Sequence, residues 1–210
     1  MGMIRLAVGQ SSDRMVAATS PGAMADIIAR CQKGDRSAFD TLYVAHRRQV
    51  AALLYRIVGP ADMEDAIQDV FFEVWKSIGR FRAESKLSTW LHRLTVNVAL
   101  RRLRTKKRKD PDVAGDPDLI PIGETPERAL RRKMALRNVQ RVLDEMPAKK
   151  RIVFVLHEVE GLDVAEIAEI VGAPRVTVRT RLHYARKEFY ARVEKDPSFD
   201  PGFGGEGPYR

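Results

Sequence analysis

Residues 163–187 read DVAEIAEIVGAPRVTVRTRLHYARK. Asp163 offers a side-chain oxygen where a helix can start, and Ile167, Ala168 and Val171 follow at helical spacing. Gly172-Ala173-Pro174 breaks that helix, because glycine accepts a left-handed turn and proline fixes φ without supplying an N–H. A second helix then turns Val178 and Leu182 inward. It leaves Arg175, Thr177, Arg179, Thr180, Arg181, His183 and Tyr184 outside, with Arg186 one turn further on. A small residue where the helices cross (Ala168), glycine in the turn and β-branched Val178 in the core make the pattern of a helix-turn-helix. The second helix of such a unit enters a DNA major groove. Upstream, Leu130–Leu143 and, after Pro147, Ala148–Val159 read as the helices that complete its core.

The charge balance agrees with a nucleic-acid partner. The 210 residues carry 37 Lys and Arg against 28 Asp and Glu, a formal net charge of +9, the electrostatic footprint of a nucleic-acid binder. Composition narrows the class further. Hydrophobic residues make up 44% of the chain, enough for a globular fold. No stretch approaches the ~20 uncharged apolar residues of a membrane helix. Residues 1–23 lack the compact apolar run and small-residue cleavage site of a secretory signal. The single cysteine, Cys31, excludes an internal disulfide and a cysteine-rich zinc site and packs as a small hydrophobe. The expected compartment is the reducing cytoplasm.

Proline and glycine divide the chain into an extension (1–23), a dense helical segment (24–109), a linker (110–126), a second helical segment (127–195) and a loose tail (196–210). The linker, DPDVAGDPDLIPIGETP, holds four prolines and five acidic residues and cannot be helical throughout. No alternating strand and no internal repeat is visible. The expectation is an all-α protein of two small domains joined by a flexible acidic tether.

Within 24–109, Phe39, Leu42, Tyr43, Val50, Leu53, Leu54 and Ile57 follow helical spacing up to Gly59-Pro60. Met63, Ala66, Ile67, Val70, Phe71, Val74, Trp75 and Ile78 then trace one apolar stripe, with Asp62 as its cap. The polar side of that helix carries Asp62, Glu64, Asp65, Asp69 and Glu73. Carboxylates so spaced could hold a divalent metal or do acid–base work; they could equally form a solvated face. Phe72 lies among them, and a large aromatic between charges marks a protein-binding hot spot. After Gly79 comes a loop, Arg80–Lys86, then a helix capped by Ser88 with Trp90, Leu91, Leu94 and Val98 inward. Its other face steps through Arg93, Asn97, Arg101, Arg104 and Arg108, suiting phosphate contacts and base-edge hydrogen bonds. The loop's Phe81, Arg82, Ser85 and Lys86 suit an unstacked base. His46, His92, His157 and His183 have no metal-ligand spacing, and no nucleophile elbow, P-loop or dinucleotide fingerprint is present.

These segments resemble a known family. Ala38–Tyr43, Ala61–Phe71, and Phe81-Arg82 followed by Ser88-Thr89-Trp90-Leu91 and Asn97 look like region two of bacterial sigma factors. Met146-Pro147 through Arg186 looks like region four. No large domain lies between them, as in the extracytoplasmic-function (ECF) group. The resemblance implies a promoter-specificity subunit of RNA polymerase, without catalytic residues, cofactor or metal, serving a stress or signal response. It implies that Asp62, Asp65, Gln68, Asp69, Phe72, Glu73 and Lys76 bind core polymerase through its β′ clamp, with further contacts to β. It assigns the minus-ten element to Phe81, Arg82, Ser85, Lys86, Trp90, Arg93, Asn97, Arg101 and Arg104. It assigns the minus-thirty-five element to Arg175, Thr177, Arg179, Thr180, His183, Tyr184 and Arg186, Tyr184 standing where the family often carries a basic residue. The acidic linker would thread toward the polymerase channel, and an anti-sigma factor would be a further partner. A free-standing helix-turn-helix regulator would not need the 62–76 surface, and a metal-dependent nuclease would need its carboxylates to converge.

Overall fold

A computed structural model describes residues 21–61, 63–106 and 126–199. The expected linker falls outside this range except for Pro126, as do residues 1–20 and 200–210, Asp62 and Arg108. The described residues form two compact helical units, without a strand among them.

The first unit contains α1 (Pro21–Gln32), α2 (Arg36–Val58), α3 (Met63–Ser77), a 3-10 turn (Ile78–Arg80) and α4 (Leu87–Lys106). Asp35 starts α2, its side chain accepting from the backbone N–H groups of Ser37 (2.9 Å) and Ala38 (3.3 Å), which satisfies two of the donors a helix start leaves open. Hydrogen bonds from Ser37 and Arg30 hold the Asp35 carboxyl down at about 2. Gly59, at φ 81°, ends α2, its N–H donating to the Tyr55 carbonyl. Leu42, Leu53, Leu54 and Ile57 of α2 are fully buried with Ala66, Val70 and Val74 of α3.

α4 differs from the expected amphipathic helix. Leu91, Val96, Val98 and Ala99 are buried, and so are Thr89, His92 and Thr95. The helix therefore runs through the core, with a narrow polar stripe left outside. The Thr95 hydroxyl donates to the Leu91 carbonyl of its own helix at 2.8 Å, and Gln49 of α2 lies between His46 and His92, 3.5 and 3.3 Å away. α4 begins at Leu87, so Ser88 sits inside the helix and does not cap it. Trp75 also departs from the expected apolar stripe. It is 39% exposed, resting edge-on against Phe39 with ring centroids 5.0 Å apart.

The second unit contains α5 (Pro126–Asp144), α6 (Ala148–Phe154), a π-helical turn (Val155–Val159), α7 (Val164–Val171) and α8 (Arg175–Val193). The expected helix 148–159 is thus α-helical only to Phe154, after which the Glu160 N–H reaches back to the Val155 carbonyl. Phe154 stacks on Phe189 at 4.6 Å, and Leu143, Ile152, Leu156, Ile167, Val178 and Ala185 close the core around them. Asp163 caps α7 and Glu166 completes the reciprocal capping box. Within α7 it is Ile167 and Ile170 that are buried, while Val171 is half-exposed. Gly172 takes the left-handed conformation, φ 61° and ψ 43°. The tail is not loose where it is described. Arg141 of α5 pairs with Asp196 and donates to the Ser198 hydroxyl, and Asn138 donates to the Ser198 carbonyl at 3.1 Å.

Among the described residues one cation is internal. Arg151 is 6% exposed, and its guanidinium donates to the Asp144 carboxylate (2.9 Å) and to the carbonyls of Asp144 (2.7 Å) and Met146 (3.2 Å). It closes the C-terminal end of α5, where backbone carbonyls lack helical partners. Burial pulls its pKa down, opposed by Asp144. Arg151→Met keeps much of the volume and removes these donors. It is expected to lower the stability of the second unit by about 2 kcal/mol, read as a shifted urea midpoint with faster amide exchange in α5 and α6 and no change in the first unit.

Candidate nucleic-acid interface

Three surfaces gather the residues singled out in the sequence. The first is the outer face of α3. Its acids do not converge on one another; they reach neighbouring helices. Glu64 pairs with Arg47 of α2 at 2.8 Å, Asp69 with Arg102 of α4 at 2.6 Å and Glu73 with Arg101 at 3.2 Å. Among the described residues no three His, Cys, Asp or Glu side chains are grouped as a metal site. Asp65 and Gln68 are exposed. Beside them stands an apolar ridge, Phe72 at 56% and Trp75 at 39% exposure, with the Lys76 ammonium 4.1 Å above the Phe72 ring. The ridge projects from a helix whose opposite side is core, so its exposure is a fixed feature of the fold.

The second surface is the 81–86 loop with α4. Arg93, Asn97, Arg101 and Arg104 are all exposed along one stripe, as the four-and-three spacing required. Arg101 already leans on Glu73 across a water-exposed gap, a pair that contributes little to stability and is readily exchanged for a phosphate. In the loop, Arg82, Ala83, Glu84 and Lys86 are exposed and Ser85 is half-buried. Phe81 departs from the expected base-stacking wall. It is 9% exposed and packs 5.1 Å from Trp90, which is itself half-buried. Ala83 is a non-glycine residue at φ 55°, a left-handed conformation that L-residues rarely adopt.

The third surface is α8. Arg175, Arg179, Thr180, His183 and Tyr184 are exposed, while Thr177 and Arg181 are half-buried. The rings of His183 and Tyr184 meet edge to face at 5.3 Å. Val176, at 68% exposure, was not apparent from a search for polar residues. Its signal was its position off the Val178–Leu182 stripe, and an apolar side chain there suits a thymine methyl. Arg186 differs from the other residues that the resemblance assigns to the minus-thirty-five element. It is turned to the π turn, donating to Glu158 at 2.6 Å and lying 3.3 Å from His157 Nδ1. Burial works to raise the Glu158 pKa, but hydrogen bonds from His157 and Arg186 and their charges outweigh it and leave it below the ordinary carboxylate value.

The Sigma-70 region 2 family matches residues 42–109, and Sigma-70, region 4, matches residues 136–189. The ECF RNA polymerase sigma-E factor of Escherichia coli (strain K12) is 31% identical over 179 residues, spanning 80% of this chain and 93% of that one. The chain belongs to the ECF sigma factors of bacterial RNA polymerase. The RNA polymerase sigma-H factor of Pseudomonas aeruginosa is 33% identical over 172 residues, 77% of this sigma factor and 89% of its relative. Two solved complexes share the fold: CnrH with the cytosolic domain of CnrY (TM-score 0.58, 23% identity, 81% and 96% of the two chains), and RpoE with the anti-sigma factor NepR from Bartonella quintana (TM-score 0.59, 20% identity, 75% and 98%). As an ECF sigma factor the protein directs core polymerase to promoters and starts transcription. No helix among the described residues is long and apolar enough to cross a membrane.

The Glu158–Arg186 pair gives this sigma factor a measurable signature. Glu158→Gln removes the charge that holds Arg186 back, so affinity for duplex DNA of any sequence is expected to rise. The slope of log K against log salt should steepen by about one. Anisotropy titrations over a salt series check this. An unchanged slope would mean that Arg186 stays docked without the carboxylate.

Proposed function

We propose a division of labour between the two units of this sigma factor. Asp62 and, from the outer face of α3, Asp65, Gln68, Asp69, Phe72, Glu73 and Lys76 dock on core polymerase. The 81–86 loop and the exposed stripe of α4 capture and hold the non-template strand of the minus-ten element. α8 reads the minus-thirty-five element, with Arg179 placed for a base edge and Arg175 and Thr180 for phosphates. The 110–126 stretch, with its five acidic residues, passes toward the polymerase channel, where negative charge mimics nucleic acid. The protein works in the cytoplasm, and an anti-sigma factor silences it by covering the same surfaces.

The observation that carries this reading is the Phe72–Trp75 ridge. A free-standing helix-turn-helix regulator has no use for an exposed aromatic pair held on a separate unit, whereas a polymerase subunit needs a docking surface. Two basic helix faces on two units also match two promoter elements better than one operator. Phe81 and Trp90 support the loop from beneath, so the groups available to a flipped base are those of Arg82 to Lys86 and Asn97.

Run-off transcription with purified core polymerase, followed by mapping of start sites, tests the whole reading. In that assay Phe72→Ala is expected to weaken core binding by about 2 kcal/mol, roughly thirtyfold, while its thermal unfolding stays unchanged. Asn97→Ala should bind core normally yet slow promoter opening, because unstacking a base costs a few kcal/mol that the pocket must recover. A template already opened around the start site should restore part of the loss. Permanganate reactivity of thymines in the opened region reads the difference. Wild-type opening by Asn97→Ala would remove base capture from this surface.

A further inference from the structure

The loop that faces the non-template strand is short, exposed and polar, yet the structure anchors both of its ends. At the α4 end, the Trp90 N–H donates to the Lys86 carbonyl at 3.1 Å. At the other end the anchor comes from a distant residue. The Gln32 side-chain amide donates to the Phe81 carbonyl at 2.8 Å and lies 3.3 Å from the Ile78 carbonyl. The Phe81 N–H in turn donates to the Ile78 carbonyl at 3.0 Å. One amide group therefore clips both ends of the 3-10 turn that launches the loop. The Phe81 ring is buried against Trp90, so residue 81 is fixed through its side chain and its backbone together.

Gln32 is itself held firmly. It is the last residue of α1, next to buried Cys31. The turn after it is closed by Lys33 N–H to the Arg30 carbonyl (3.0 Å), Gly34 N–H to the Cys31 carbonyl (2.9 Å) and Asp35 N–H to the Arg30 carbonyl (3.1 Å). The Arg30–Asp35 pair at 2.7 Å braces the same turn. A rigid helix end thus reaches across 46 and 49 residues of sequence to the loop's first backbone atoms. Beyond that clip the chain reverses through Ala83 at φ 55°, a conformation that persists only where the surroundings dictate it.

We propose that Gln32 is a positioning residue for base capture: its amide fixes the start of the 81–86 loop in the shape that receives the flipped base. The proposal rests on the assignment of this loop and Asn97 to strand opening. Gln32 touches no nucleic acid in this scheme; it acts through the carbonyls of Ile78 and Phe81. Its side chain lies at the surface, so replacing it leaves the core intact.

The test uses the full chain reconstituted with core polymerase on a promoter mapped by run-off transcription, as duplex and with the start region already opened. Gln32→Met keeps the reach and loses the donor; Gln32→Lys keeps a donor. Gln32→Met is expected to slow opening of the duplex about tenfold, below the ~100-fold that an ångström of misplacement can cost. Core affinity and thermal unfolding should stay at wild-type values, and the pre-opened template should recover most of the rate. Gln32→Lys should open the duplex within about threefold of wild type, since the donor is what the proposal requires. Asn97→Ala is run alongside. If Asn97→Ala is slow and Gln32→Met opens like wild type, the role given to Gln32 is overturned. The same holds if Gln32→Met weakens core binding or unfolding in proportion, or if Gln32→Lys is as slow as Gln32→Met. If Asn97→Ala itself opens like wild type, the assignment of the loop fails and the role of Gln32 falls with it.

Discussion

Arg101 and Arg102 of α4 meet Glu73 and Asp69 of α3, and Arg186 of α8 meets Glu158 of the π turn. These pairings sort the arginines of a strongly basic chain. A guanidinium bonded to a half-buried carboxylate is already compensated, and drawing it to a phosphate means breaking a charge-assisted hydrogen bond. One that points into water has only its hydration to give up. In the first unit the sorting leaves Arg93 and Arg104 open and Arg101 only lightly held. In the second it leaves Arg175 and Arg179 open and ties Arg186 down. The same carboxylates, once neutralised, stop repelling a polyanion from α3. Only Asp65, among the described acids of the α3 outer face, then stands without a partner beside the Phe72 ridge.

The helix-turn-helix was legible because every signal there is local. Asp163, Gly172 and Pro174 act on their own turn of chain, and Val178 and Leu182 sit on one stripe. The exposed stripe of α4 was legible for the same reason, since Arg93, Asn97, Arg101 and Arg104 need only helical spacing. What escaped depended on partners outside each residue's own helix. Arg151 carries no signal of burial in its own sequence, and Arg186 falls on the DNA-reading helix, yet Asp144, Met146 and Glu158 receive them. Trp75 fits the apolar stripe by number, yet the core ends at Phe39 and leaves it half outside. Phe81 read as a stacking surface because its cover, Trp90, lies across a loop. Residues 196–199 read as tail because nothing in DPSF announces Arg141.

α4 shows why periodicity alone understates a central helix. Thr95 is fully buried and His92 nearly so, and both look polar to a hydropathy pattern. Thr95 satisfies its hydroxyl on its own helix. His92 shares Gln49 with His46, whose pKa is pushed down by burial against a weaker opposing effect of Gln49. A helix surrounded by protein need not be apolar all round if its polar atoms find partners. The exposed remainder is then narrow, which aligns Arg93, Asn97, Arg101 and Arg104 into a line instead of a broad basic face.

The π turn at Val155–Val159 has a consequence for how this chain can vary in length. A π turn holds one residue more than the α-helical turn it replaces. Loss of one residue between 155 and 159 would let the helix rewind as regular α, keeping Phe154 in place. Because the extra residue is absorbed within that one turn, the chain leaving it toward Gly161 and α7 would keep nearly its present direction. The cost would fall inside the turn, where His157 and Glu158 would shift their places and lose their contacts with Arg186. The segment is thus a place in this unit where one residue can be lost while the helices on either side stay where they are.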